Sequence, residues 1–291
     1  MRQMKKIKKI SILALLLLGP FLSRAQSAEV ISAMTFNIRY ANPKDGINIW
    51  ENRRDWLCEG INFFDVDVFG AQEVIESQLN DMVERLPAYD YVGIGRNGDK
   101  EGEFCPVFFK KETFELMDSG TFWLSETPEK VNSQGWDAAL PRIMTWVKLR
   151  KIATGEAFYF FNTHFDHRGK TAQLESAKLI RQEIQKIAGD KPFLITGDFN
   201  FAPSEEAYTE LTSGKPKSLV VIDSKNSAQM VYGPDYTFNG FALEPDQSRE
   251  RIDYVFIAQG VKVHKHHIID GQRGGNYISD HFPIKVIVSL R

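Results

Sequence analysis

The sequence predicts a mixed α/β fold in which two packed sheets carry helices on their outer faces. Three observations point there. Helical patterns sit near the start and in the middle of the chain, while apolar, β-branched runs fill the rest. Several of those runs follow one another without a helix between them, as hairpin strands do. No internal repeat and no Pro/Ser-rich linker divides the chain, so a single domain is expected.

In chain order, Val30–Ile38 is predicted as a strand, Asn52–Phe64 as a helix, Val66–Ala71 as a strand and Glu76–Leu86 as a helix stopped by Pro87. Consecutive strands follow at Tyr89–Ile94, Cys105–Lys110, Phe114–Asp118, Ile143–Leu149 and Ala157–Thr163. The clearest helix is Lys170–Ala188: Ala177, Ile180, Ile184 and Ile187 fall on one face, and Gly189 closes it. Phe193–Thr196 is expected as a buried strand. Ser204 is placed to cap a helix whose first turn carries Glu205 and Glu206. Ile252–Ala258, Val261–Ile268 and Ile284–Val288 complete the strands. Ser125–Pro141 is too long for a simple connection and is expected to be a functional loop.

Arg2, Lys5, Lys6, Lys8 and Lys9 precede the apolar run Ile10–Leu18, followed by Gly19-Pro20 and Ser23-Arg24-Ala25. That is the pattern of a secretory signal peptide over residues 1–25, and its apolar run is too short to span a bilayer. Residues 26–291 are therefore expected as a single exported domain, periplasmic or secreted, monomeric and without a membrane span. Residues 1–25 carry six basic residues and no acidic one, so 30 basic residues face 38 acidic ones in the remainder, a balance of −8. An acidic chain lacks the clustered Lys and Arg that grip a phosphate backbone, and no stable nucleic-acid partner is expected. Cys58 and Cys105 are the only cysteines. An oxidising compartment permits a disulfide, but both sit in apolar contexts, and two buried free thiols are preferred.

Six polar islands interrupt the apolar runs. They are Asn37 after Met34-Thr35-Phe36, Gln72-Glu73 after Val68–Ala71, and Asn162-Thr163-His164 with Asp166-His167. Gly197-Asp198-Phe199-Asn200, Asp253 within Ile252-Asp253-Tyr254, and Asp280-His281 complete the set. Any one has a plain explanation in turn or edge chemistry. Their repetition does not, because a buried carboxylate costs several kcal/mol unless it is paired or bound to a cation. A shared site for a metal and a phosphate offsets that cost for all of them together.

The residue types suit phosphate-ester hydrolysis. A hard divalent cation takes carboxylate and amide oxygens, which Glu73 and Asn37 offer. A hydrogen-bonded Asp–His pair raises the basicity of an imidazole, and either Asp253 or Asp280 with His281 offers one. Adjacent side chains on an extended segment point to opposite faces, which disfavours Asp280 as the partner of His281. His164 and Asn200 are non-anionic candidates to contact the phosphate.

These islands, in this order, resemble the endonuclease/exonuclease/phosphatase superfamily, across essentially the whole of residues 26–291. The resemblance implies an α/β (α+β) four-layered sandwich: two packed, mostly antiparallel sheets flanked by helices, with the site at one end. It implies Glu73 as main Mg²⁺ ligand (Mn²⁺ possible) supported by Asn37, with Asp280 a second carboxylate on the metal side. Asp198 corresponds to the residue orienting or activating the attacking water, Asn200 to one steadying the phosphate, and His164 to a phosphate-contacting or acid group. His281 corresponds to the catalytic histidine, held by Asp253. No core motif is missing.

Outside that pattern, Arg142 closes the long loop and is a candidate for a substrate phosphate, with a surface pair to Asp137 as the plain alternative. Trp123 and Trp136 are candidates for a substrate wall, the core being favoured for Trp123. The expected activity is a secreted, divalent-metal-dependent phosphoesterase acting by direct attack of water. Its substrate would be a phosphorylated small molecule, a lipid head group or a short oligonucleotide. A nuclease acting on DNA or RNA, or a non-catalytic phospho-ligand-binding protein on the same scaffold, are the alternatives.

Overall fold

The computed structural model describes residues 30–213, 219–244, 246 and 248–290, so the expected signal peptide lies outside the described residues. The strands form two sheets. The first has the order β10 (Met230–Tyr232), β12 (Lys262–Ile268), β13 (Ile284–Ser289), β1 (Ile31–Asn37), β2 (Val68–Gln72), β4 (Val107–Lys110), β3 (Tyr89–Val92). The second has the order β5 (Phe114–Trp123), β6 (Ile143–Lys151), β7 (Ala157–His164), β8 (Phe193–Asp198), β11 (Asp253–Ala258), β9 (Val221–Asp223).

Each sheet has a parallel pair at its middle, β1 with β2 and β7 with β8, and most other pairs are antiparallel. The parallel pairs need crossovers, and each has a helix: α1 (Trp50–Phe63) links β1 to β2, and α3 (Lys170–Ile187) links β7 to β8. α2 (Glu76–Arg85) lies beside α1, and α4 (Glu206–Thr212) beside α3. The result is the expected four-layered sandwich.

Strand alternation assigns the faces. On β1 and β2, Met34, Phe36, Phe69 and Ala71 pack with Leu57 and Ile61 of α1 and Leu79 and Met82 of α2. The intervening Ala33 and Val68 join Phe160, Leu194 and Val255 in the larger cluster between the sheets. On the far side, Tyr208 of α4 lies against Tyr254 and Phe256, and Phe199 meets Phe165, Phe201 and Phe256. Each fully buried aromatic or aliphatic side chain of this kind contributes about 1.5–3 kcal/mol relative to exposure.

A polar pin crosses the two sheets beneath the end that carries the islands. Asn162 donates to the carbonyls of Ala71 (2.8 Å) and Pro106 (3.0 Å), and its oxygen accepts from Gln72 (2.6 Å) and Thr196 (3.1 Å). Two of the island residues, Gln72 and Asn162, are thus spent on joining the sheets.

Several boundaries differ from expectation. β5 extends beyond Asp118 to Trp123, because Ser119-Gly120, turn-like in isolation, pair with Val147 and Trp146 after a bulge between Leu116 and Asp118. β4 begins at Val107 instead of Cys105, since Pro106 has no N–H and its carbonyl serves Asn162 and Ala71. Ser204 does not cap α4: the residue at that place is Glu205, and the Ser204 hydroxyl donates to Glu250. The short β9 and β10 escaped the hydrophobic pattern altogether. No helix among the described residues is long and apolar enough to cross a membrane.

Candidate active site

Topology explains why islands scattered over the sequence meet. Asn37 ends β1, Glu73 follows β2, His164 ends β7 and Asp198 ends β8, so all four stand at the carboxyl ends of the two parallel pairs. Asp253 begins the antiparallel β11 and lies opposite Asp198 in register. His281 precedes β13, which runs antiparallel to β1, and so returns to the same end.

Two side chains are aimed by the backbone. Glu73 (φ 61°) and Asn200 (φ 52°) both take the left-handed conformation just beyond a central strand. Non-glycine residues rarely do so, and such strain gathers at functional sites.

Asp198 is the hub. One oxygen accepts from the Asn37 amide at 2.9 Å and lies 3.5 Å from His164 Nε2 and 3.7 Å from His281 Nε2. Its other oxygen accepts from the Asn200 backbone at 3.0 Å. Burial and the Asp253 charge push the Asp198 carboxyl up to about 7. The Asn37 amide also donates to Glu73 (3.1 Å), and Tyr40 N–H donates to the other Glu73 oxygen (3.1 Å). Arg39 N–H holds Asn37 Oδ1 at 3.0 Å, so Asn37 turns its nitrogen to the two carboxylates.

His281 Nδ1 donates to Asp253 Oδ2 at 2.9 Å, both groups deeply buried. Two backbone N–H groups, of Ile252 and Asp253, bind Thr237 Oγ1 and fix the start of that strand. Burial alone would drive His281 towards the neutral form. The nearby Asp253 and Asp198 charges outweigh it and hold the imidazole well above its ordinary value.

His164 goes the other way: burial and the Arg142 charge depress it well below the usual range. Its Nε2 accepts from the Asn200 amide at 3.0 Å, and that amide also donates to Phe165 O at 3.0 Å. The ring proton therefore sits on Nδ1, which has Glu103 at 3.9 Å.

Asp280 stands beside this centre, where burial, with the Glu73 charge added, raises its carboxyl above the ordinary range. It lies 3.7 Å from Arg39, whose guanidinium is clamped by Asp45 at 2.9 and 3.0 Å. Arg142 is buried, 3.5 Å from Asp166 and donating to His167 Nδ1 at 3.1 Å. Its plain alternative partner, Asp137, instead accepts from the backbone of Thr171 and Ala172 at the start of α3. Trp123 is core, its indole donating to Arg96 O at 2.7 Å.

Sequence reasoning missed Arg39, Asp45, Glu103 and Thr237. None belongs to an apolar run broken by a polar residue, which was the only signal available. Arg53 also went unnoticed. It is a buried cation in α1 that donates to the carbonyls of Asn48, Ile38 and Ile278 at 2.6–2.9 Å, joining the β1 end to the segment before His281.

The donor set fits a hard divalent cation. One ligand atom each from Glu73, His164 and Asp198 lies within 4.8 Å of the others, and no described basic side chain pairs with Glu73. Asp198, Asp253 and His281 form a second such group, already tied internally by the Asp253–His281 hydrogen bond.

The model of the Endonuclease/Exonuclease/phosphatase family matches residues 34–281, from the middle of β1 to His281. The chain belongs to this family. The family is divalent-metal-dependent, and its members, a phosphatase and an exoribonuclease among those similar to this chain, act on phosphate esters. An endonuclease/exonuclease/phosphatase from Bacteroides vulgatus is 40% identical with a TM-score of 0.87, covering 90% of this chain and 100% of that one. A mannosyl-6-phosphatase of Bacteroides thetaiotaomicron is 36% identical with a TM-score of 0.83, over 89% of this chain and 99% of its own. The human nocturnin catalytic domain shares the fold at 22% identity and a TM-score of 0.70, over 90% and 94%. Among curated sequences, the Ccr4 exoribonuclease subunit of Emericella nidulans is 23% identical over 65% of this chain and 38% of its own. The chain spans between 26% and 61% of the length of the curated relatives it matches.

Proposed function

We propose that this family member is an exported, Mg²⁺-dependent phosphomonoesterase acting on a small phosphorylated sugar. The reaction rests on one observation above the rest: Asp198 lies between His281 Nε2, the Asn37 amide and His164. The substrate class is supported by the 36% likeness to a mannosyl-6-phosphatase along nearly its full length, and by the acidic balance of the chain.

A divalent cation held by Glu73 with Asp198 or His164 would neutralise the phosphoryl oxygens. Asn37 orients both carboxylates through one amide nitrogen. Asp198 orients the attacking water and, held by the Asn37 amide and the Asn200 backbone, is placed to accept the water's proton. The oxygen–phosphorus bond forms as the sugar oxygen leaves with its electron pair and takes up a proton. His281, charged and held by Asp253, lies 3.7 Å from the same Asp198 oxygen and faces the negative charge developing on the phosphoryl oxygens, so the leaving oxygen on the opposite side takes its proton from solvent water. Asn200 steadies His164 at the phosphate.

The test is a panel of phosphoesters, hexose 6-phosphates, a phosphocholine diester and a short oligonucleotide, incubated with Mg²⁺, Mn²⁺ or chelator. Inorganic phosphate should appear from the sugar phosphates with either metal and not with chelator. Oligonucleotide fragments without release from any sugar phosphate would replace this reading with the nuclease one, which the Ccr4 and nocturnin relatives favour. Export would be checked by locating a chain trimmed near residue 25 outside the cytoplasm.

A further inference from the structure

Most guanidinium groups around the site are committed. Arg39 is clamped by Asp45, Arg96 by Glu103 and Arg251 by Asp223, Arg142 contacts Asp166 and His167, and Arg53 is bonded to carbonyls. Arg249 differs. Its side chain is 48% exposed, and its ion pair among the described residues is a loose one to Asp246 at 3.8 Å. An exposed pair of that length contributes little.

Arg249 is nonetheless held in place. Its guanidinium stacks on the Phe238 ring, 5.0 Å from the centroid. The Phe238 ring in turn meets the His281 ring at 5.0 Å with an interplanar angle of 63°. The shelf beneath is rigid: Phe238 bridges His281, Asn239 N–H donates to Asp280 O at 2.8 Å, and Phe282 N–H donates to Thr237 O at 2.7 Å. A guanidinium stacked on an aromatic face keeps its N–H edge free for a planar anion. Two centroid steps of 5.0 Å keep the guanidinium within about 10 Å of the His281 ring, in reach of a second anionic group carried at the far end of a hexose whose phosphate lies at His281. A second anionic group on a substrate would meet an acid-rich site, with Glu73, Asp198, Asp253, Asp280 and Asp45 all nearby, and needs a cation at the rim.

We propose that Arg249, carried on Phe238, is a specificity residue that binds a second anionic group lying about one sugar ring from the reacting phosphate. This rests on the sugar-phosphatase reading. The preferred substrate class is thereby a sugar bisphosphate or a sugar phosphate bearing a carboxylate.

The experiment compares kcat/KM for hexose 1,6-bisphosphate and hexose 6-phosphate in the wild type, Arg249→Ala, Arg249→Lys and Phe238→Leu. Arg249→Ala should lower the bisphosphate-to-monophosphate ratio by about tenfold or more, mainly through KM, the scale of one charge-assisted hydrogen bond. Lysine should restore part of that ratio, and Phe238→Leu should lower it less. An unchanged ratio, or an equal fall on both substrates, overturns the proposal. If the wild type cleaves neither sugar, the phosphatase reading fails by itself. The subsite is then decided by calorimetry: tighter binding of the bisphosphate than the monophosphate, lost in Arg249→Ala, supports it, and equal binding in both proteins overturns it.

Discussion

Asp198 and His281 illustrate how one buried environment raises two neighbouring groups together, pushing the carboxyl towards its neutral form while holding the imidazole charged. Desolvation opposes charge on both, yet His281 gains from two carboxylates while Asp198 suffers from Asp253. Asp253→Asn should therefore keep the shape of the pair and lower kcat by about 10²–10⁴-fold. In metal-free protein, the same change should lower the titration midpoint of the His281 ring, followed by proton NMR. The stability linkage has a definite sign. A histidine whose folded value is raised contributes stability that is fully present below its ordinary value of 6.5 and is lost as pH rises through the raised value. Urea unfolding of metal-free protein should show the wild type losing its advantage over Asp253→Asn as pH climbs above 6.5. Parallel pH profiles for the two proteins would remove this account of the pair.

At the scale of elements, the site depends on how closely two strands approach. Gly70 in β2 faces Asn162 in β7, and a Cβ placed there would lie 2.2 Å from Asn162 Oδ1 and 2.4 Å from Thr196 Oγ1. Gly70→Ala should destabilise the fold by about 1–3 kcal/mol through overpacking, with more if the pin loses a hydrogen bond. Chemical denaturation measures this, and a change under about 0.5 kcal/mol, the size of an ordinary surface substitution, would mean that the pin relaxes freely. Much of the element pattern was legible. Lys170–Ile187 showed its apolar face and its glycine stop, and Gly189 does take the left-handed conformation (φ 56°). The second half of β5 was hidden, because Asp118-Ser119-Gly120 becomes strand only through pairing with β6. β9 and β10 are three residues each, too short for a period to show.

For the whole molecule, the sandwich seals both thiols. Cys58 and Cys105 are free and buried, and burial pushes each up to about 12. Neither should react with a thiol reagent at neutral pH in the native protein, and both should react once guanidine unfolds it. Labelling of the native protein at either site would contradict that packing. The sequence by itself determined the class of fold, the ordered polar islands and therefore the chemistry, because burial makes unpaired polar groups costly wherever they occur in a chain. It also separated Asp280 from His281, since adjacent residues on an extended segment face opposite ways. Only the tertiary structure decided which islands are spent on the scaffold, with Gln72 and Asn162 pinning the sheets. It also decided that Asp253 meets His281 while Asp280 meets Arg39, and that Phe238 carries Arg249 to the rim. Those pairings join residues far apart in the chain, and hydrophobic periodicity records which face a residue takes but not which partner waits there.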